Sequence, residues 1–117
     1  MAKVSFSKLG AKPNSEATEI KIGNSTIEVK QYLPMADKIQ LIERVVNAAA
    51  PNLGERLINW AYVNVMLDLL LVEYYSNISF TDKQKEDTYK FYDNLFGSGI
   101  GDMIIEAIPE DEEDWIV

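Results

Sequence analysis

Apolar and polar residues alternate through the first third of the chain, and a longer apolar period replaces this after residue 34. Val4-Ser5-Phe6-Ser7-Lys8-Leu9 has period two and stops at Gly10, which predicts a half-buried strand. Thr18-Glu19-Ile20-Lys21-Ile22 and Thr26-Ile27-Glu28-Val29-Lys30 flank Gly23-Asn24-Ser25. Gly and Asn accept the positive φ of a tight turn, so these two runs predict a β-hairpin. Ile20, Ile22, Ile27 and Val29 would share one face. Glu19, Lys21, Glu28 and Lys30 would share the other, in cross-strand pairs of opposite charge.

Beyond Pro34, Met35, Ile39, Ile42, Val46 and Ala49 recur at helical spacing, and they predict one apolar stripe on a helix that ends at Pro51-Asn52-Leu53-Gly54. From Glu55 to about Ser76 the pattern is apolar nearly all round, as in a helix buried at the centre of a fold. Thr81-Asp82-Lys83-Gln84 is a capping box that opens a third helix. Tyr89, Tyr92 and Phe96 form its stripe, Phe91 and Leu95 back them, and Gly97 and Gly99 stop it. A short fourth helix, Gly101 to Ile108, precedes Pro109. The elements predict an α+β fold: a β-hairpin or three-stranded antiparallel sheet, then a bundle of about four helices around a buried central helix. Residues 1–108 form its single domain and 109–117 an acidic C-terminal segment.

Composition then narrows the chemistry. A length of 117 residues with 47% hydrophobic and 26% charged residues suits one self-folding domain. The chain has no Cys and no His, which removes thiolate nucleophiles, disulfides, the commonest general base and the usual zinc ligands. An enzyme here would rely on Asp, Glu, Lys and Tyr, and no two of these sit at a catalytic spacing, so the expectation is a non-enzyme without cofactor. The formal net charge of −8 repels phosphate backbones and anionic lipid, so neither nucleic acid nor membrane is an expected partner. No signal-peptide core and no membrane-length apolar run is present, and the cytoplasm is the expected compartment.

Three features are candidates for contact with a protein partner. Asp68 interrupts Val65-Met66-Leu67-Asp68-Leu69-Leu70-Leu71-Val72, and a carboxylate in a buried helix must be paired or face an interface. Asn64 lies one turn earlier, so the two would line a polar seam against another helix or a second subunit, unless Asp68 sits on an exposed edge of the helix or is satisfied by a neighbouring cation. Glu106, Glu110, Asp111, Glu112, Glu113 and Asp114 place six carboxylates in nine positions, without the alternating ligands and central Gly of a calcium loop. Pro109 followed by carboxylates is how a helix begins, and Trp115, Ile116 and Val117 would be its first apolar residues. Residues 109–117 are therefore expected to be a contact segment rather than core. Either the chain is a truncated or frameshift-limited form, or these residues dock on the body or on another molecule. Gly97-Ser98-Gly99-Ile100-Gly101 lacks the preceding strand and the Lys of a phosphate loop.

Two stretches carry a resemblance: Ile27-Glu28-Val29-Lys30-Gln31-Tyr32-Leu33-Pro34 after the Gly-Asn turn, and Asn77-Ile78-Ser79-Phe80-Thr81-Asp82-Lys83-Gln84-Lys85-Glu86-Asp87. They resemble small proteins of phages and prophages of Gram-positive bacteria. The layout of hairpin, leucine-rich helices and acidic end is similar to that of siphophage tail assembly chaperones, which bind the tape-measure protein and tail-tube subunits. This resemblance implies an interaction protein whose partners are phage tail proteins. The rival expectation is an acidic inhibitor of a bacterial defence nuclease, of the DNA-mimic or anti-CRISPR type. A mimic would spread its carboxylates along a face, whereas many here are concentrated at one end.

Overall fold

The computed structural model describes residues 2–49 and 60–116. The breaker cluster at 51–54, the expected start of the central helix at Glu55, and Val117 lie outside the described residues. The hairpin forms as the alternation predicts. Strands β1 (Ala17–Ile22) and β2 (Ser25–Lys30) pair antiparallel, with Ile20 opposite Ile27 and Thr18 opposite Val29. Gly23 takes φ 60° and Asn24 does not have positive φ, which is the pattern of a two-residue II′ turn. That turn sets a register which overturns the expected outer-face pairing. Glu19 stands directly opposite Glu28 and Lys21 opposite Thr26, so unlike charges meet only on diagonals.

A lone two-stranded hairpin is marginal in water, and this one is held by the end of a helix. Val29 bridges Ser76, the Asn77 N–H donates to the Glu28 carbonyl at 3.1 Å, and the Glu28 N–H donates to Asn77 Oδ1 at 2.9 Å. No third strand joins the sheet among the described residues. The expected strand at 4–9 is instead a 3₁₀ turn, Phe6–Leu9. The Lys8 N–H closes it on the Ser5 carbonyl, the Ser5 and Ser7 hydroxyls bond each other, and Gly10 ends it at φ 64°. Local side-chain bonds of this kind compete with a strand.

Six α-helices follow among the described residues: α1 (Met35–Ala49), α2 (Trp60–Tyr75), α3 (Asp82–Lys85), α4 (Thr88–Phe96), α5 (Ile100–Ala107) and α6 (Glu110–Ile116). The fold is α+β, but four helices were too few. The predicted third helix is two, broken at Glu86-Asp87. Thr81 and Gln84 form the capping box of α3, and Asp87 starts a new helix by accepting the Lys90 N–H. The helix expected at Pro109 is α6, whose first turn closes on the Pro109 carbonyl.

Helix α2 is the centre, packed against α1, α4 and α5, while α5 also meets β1. Leu69, Leu70, Leu71, Val72 and Tyr75 lie in one core with Val29, Leu33, Leu41, Phe91, Leu95 and Ile104. Gly101 permits a close crossing of α4 and α5, since a Cβ there would lie 2.6 Å from the Phe96 ring. The radius of gyration is 17.2 Å, above the roughly 13 Å of a compact domain of this length. This accords with a segment before β1 in which residues 2–16 are all exposed.

Candidate interaction surface

Helix α6 carries its carboxylates in two directions. Glu112 turns inward and is 7% exposed. Its Oε1 accepts from the Leu33 N–H at 2.7 Å and the Tyr75 hydroxyl at 3.3 Å, and its Oε2 pairs with Lys38 Nζ at 2.9 Å. Lys38 is 1% exposed and also lies 4.2 Å from the centroid of the Tyr32 ring. Burial and the Glu112 charge hold the Tyr75 phenol well above its ordinary pKa, so it remains a donor. This network joins α6 to α1, α2 and the Leu33 backbone. Glu112 was expected at a contact with a partner, but both its oxygens are engaged inside the chain. A buried carboxylate with a cation and two further donors is a structural clasp, because no reactant or partner reaches it.

Asp68 finds its partner inside the chain as well. It is half-buried, and the Tyr92 hydroxyl of α4 donates to its Oδ2 at 3.5 Å. Burial raises its pKa, the hydrogen bond opposes the rise, and the Asp102 charge adds to it. Glu113 is raised in turn by burial and by Asp114, Glu110 and Asp68. Asn64 is exposed and lines the groove between α1 and α2, whereas Asp68 meets α4, so the two do not form one polar seam.

Glu110, Asp111 and Asp114 face solvent, as do Glu106 and Asp102 on α5, and none of them pairs with a cation among the described residues. Trp115 stands among them, 59% exposed, and Ile116 is the last residue of α6. No group of three or more acidic side chains among the described residues is placed to hold a metal ion.

Helix α1 forms with its apolar stripe, and part of that stripe stays at the surface. Leu41 and Lys38 are buried with Val45 beside them, while Met35, Ile39 and Val46 are exposed. Ile42, Val45 and Val46 face Trp60, Val63 and Leu67 of α2 across a groove of about 270 Å³, with Asn64 at its side. Trp60 is 65% exposed. The chain thus presents an apolar helix face and an apolar groove side by side. Sequence periodicity found the stripe, and the position of α2 decides which of its residues are covered. Lys38, in a core position, carried no signal in the local pattern.

No protein-family model, no curated protein and no solved structure matches the chain. Among the described residues no helix is long and apolar enough to cross a membrane.

Proposed function

We propose that this protein is a non-enzymatic interaction module, and that the face formed by α1 and the α1–α2 groove docks an apolar segment of a protein partner. The observation that carries this reading is the exposed stripe Met35, Ile39 and Val46 beside Trp60, on a helix that has already buried a different face. Contiguous exposed apolar surface of this kind marks an interaction site, and each large side chain covered by a partner contributes about 1.5–3 kcal/mol. A paired helix groove suits an amphipathic helix with anchors at i, i+4 and i+7.

The partners proposed are phage tail proteins, the tape-measure protein foremost, with the protein acting as a tail assembly factor in the host cytoplasm. The test is co-purification from phage-infected cells with wild type and with Ile39→Lys/Val46→Glu, both exposed positions. Recovery of tape-measure or tail-tube protein with wild type, lost in a variant of unchanged melting temperature, supports the reading. Absence of tail proteins from the wild-type complex ends the tail assignment, and equal recovery by the variant removes this face.

One observation favours a second reading. The exposed carboxylates of α5 and α6 lack cation partners among the described residues, as an inhibitor occupying a nucleic-acid site would require. Inhibition of a defence nuclease, lost on Glu110→Gln/Asp111→Asn/Asp114→Asn, distinguishes it from the first.

A further inference from the structure

Charge along this chain is segregated. Residues 1–15 contain Lys3, Lys8 and Lys12 and no acid, whereas residues 91–117 contain eight acids and no Lys or Arg. The structure places both ends of this gradient at the surface and gives each an apolar centre. Before β1, Val4, Phe6 and Leu9 are 69, 73 and 63% exposed. The 3₁₀ turn carries Phe6, Lys8 and Leu9, with Lys3 and Lys12 on either side of it along the chain. Met103 on α5 and Trp115 on α6 are exposed, and so are their helix neighbours Asp102 and Glu106 on α5 and Asp111 and Asp114 on α6.

We propose that copies of this chain associate head to tail, with segment 2–12 of one copy lying on the acidic α5–α6 face of the next. Each surface has what the other lacks. The segment offers three cations and an aromatic ring, and the face offers carboxylates around a tryptophan, the residue type most often found at the energetic centre of an interface. The occupant is a second copy because this chain carries both complementary halves and does not join them itself. The root of the segment is fixed, with the Glu16 N–H on Asn14 Oδ1 at 2.9 Å and the Gln31 N–H on the Glu16 carbonyl at 3.1 Å. Beyond that root residues 2–12 stay exposed, and Lys3, Lys8 and Lys12 meet no carboxylate within ion-pair distance among the described residues. Such a contact is heterologous. Each copy that uses its segment still presents its face, so association continues until a ring closes or a chain grows. The surfaces share no residue with the α1 stripe or its groove, and the inference holds whether or not the proposed partner binds there.

The experiment is sedimentation velocity of the full chain over a concentration series, at low salt and at about 1 M salt, where the Debye length is roughly 3 Å. It compares wild type, a segment variant (Phe6→Ser/Lys8→Gln) and a face variant (Trp115→Ala/Asp111→Asn). All four positions are exposed, and circular dichroism checks that the fold is kept. Wild type is expected to grow in mass with concentration at low salt and to dissociate at high salt. Each variant alone should associate at least about tenfold more weakly. Mixed in equal amounts, the two variants should stop at a two-chain complex, since the segment variant retains a sound face and the face variant a sound segment. A wild type that remains one chain at every concentration overturns the proposal. If tryptophan emission in a Trp60→Phe background, where Trp115 is the one emitter, also shifts on Phe6→Ser, the segment folds back on its own chain. Variants that associate like wild type, or a mixture that grows beyond two chains, overturn it equally.

Discussion

Replacing Glu112 with Ala tests how firmly the last helix is tied to the rest. The substitution leaves Lys38, 1% exposed, as a buried ammonium without its counterion, and removes the acceptor of the Leu33 N–H and the Tyr75 hydroxyl. Breaking a buried pair from one side costs about 3–5 kcal/mol, and each orphaned donor about 1–3. These contributions overlap at one site, so the expected loss is about 3–5 kcal/mol against a total of roughly 5–15. At roughly 4 °C per kcal/mol for a chain of this size, the melting temperature should fall by about 12–20 °C. Deleting residues 109–117 removes the same carboxylate and should cost at least as much. The diagnostic variant is Lys38→Met/Glu112→Leu, which replaces the pair by apolar groups of similar size and should recover the part of the loss due to the unpaired ammonium, while the Leu33 N–H and the Tyr75 hydroxyl stay without an acceptor. Thermal melts by circular dichroism and urea unfolding give both numbers. A loss below about 1 kcal/mol for Glu112→Ala, or a double variant no better than the single one, refutes the clasp.

Three further outcomes follow from the packing and the carboxylates. Burial raises the pKa of Asp68 and Glu113, so the folded chain holds these protons more tightly than the unfolded one. Stability is therefore gained as pH falls through the window just above the ordinary carboxylate range and lost as pH rises through it. Asp68→Asn should raise the melting temperature at about pH 7 and flatten its rise toward about pH 5; an unchanged slope would locate the effect in other groups. Leu70 is 1% exposed and Leu67 lines the groove, so Leu70→Asp should abolish cooperative melting, while Leu67→Asp should lower the transition and keep it. Gly101→Ala drives a methyl into the Phe96 ring, which stacks on Tyr92 at 4.7 Å. It should cost about 1–3 kcal/mol, and much less in a Phe96→Ala background, as a double-mutant cycle would show.

Where one local pattern decides a structure, the sequence was sufficient. The Gly23-Asn24 turn, the Thr81 capping box, the apolar centre of α2 and the start of α6 at Pro109 all depend on neighbours a few residues away. The misreadings mostly concern choices made at long range. The alternation at 4–9 is sound, but the Ser5–Ser7 and Ser5–Lys8 bonds close a local turn there in place of a strand. Helix α1 carries enough apolar residues for two faces, and only the position of α2 selects between them. Lys38 and Glu112 are 74 residues apart, and either alone reads as a solvated charge. Asp68 was recognised as needing a partner, but Tyr92 is supplied by another helix. For the candidate surface, sequence located Trp115 and the acidic run, and structure removed Glu112 from it and added the α1 stripe and Trp60.

The clasp also has an order in time. Leu33 and its carboxylate are 79 residues apart, Lys38 and Glu112 are 74, and Tyr75 and Glu112 are 37. A ribosome adding about 5–20 residues per second makes Lys38 roughly 4–15 s before the residue that neutralises it. During that interval the nascent chain holds α1 and much of α2 without the ion pair that seals their junction, and with the apolar face of α1 uncovered. Core closure therefore waits on α6, seconds after α1 is made.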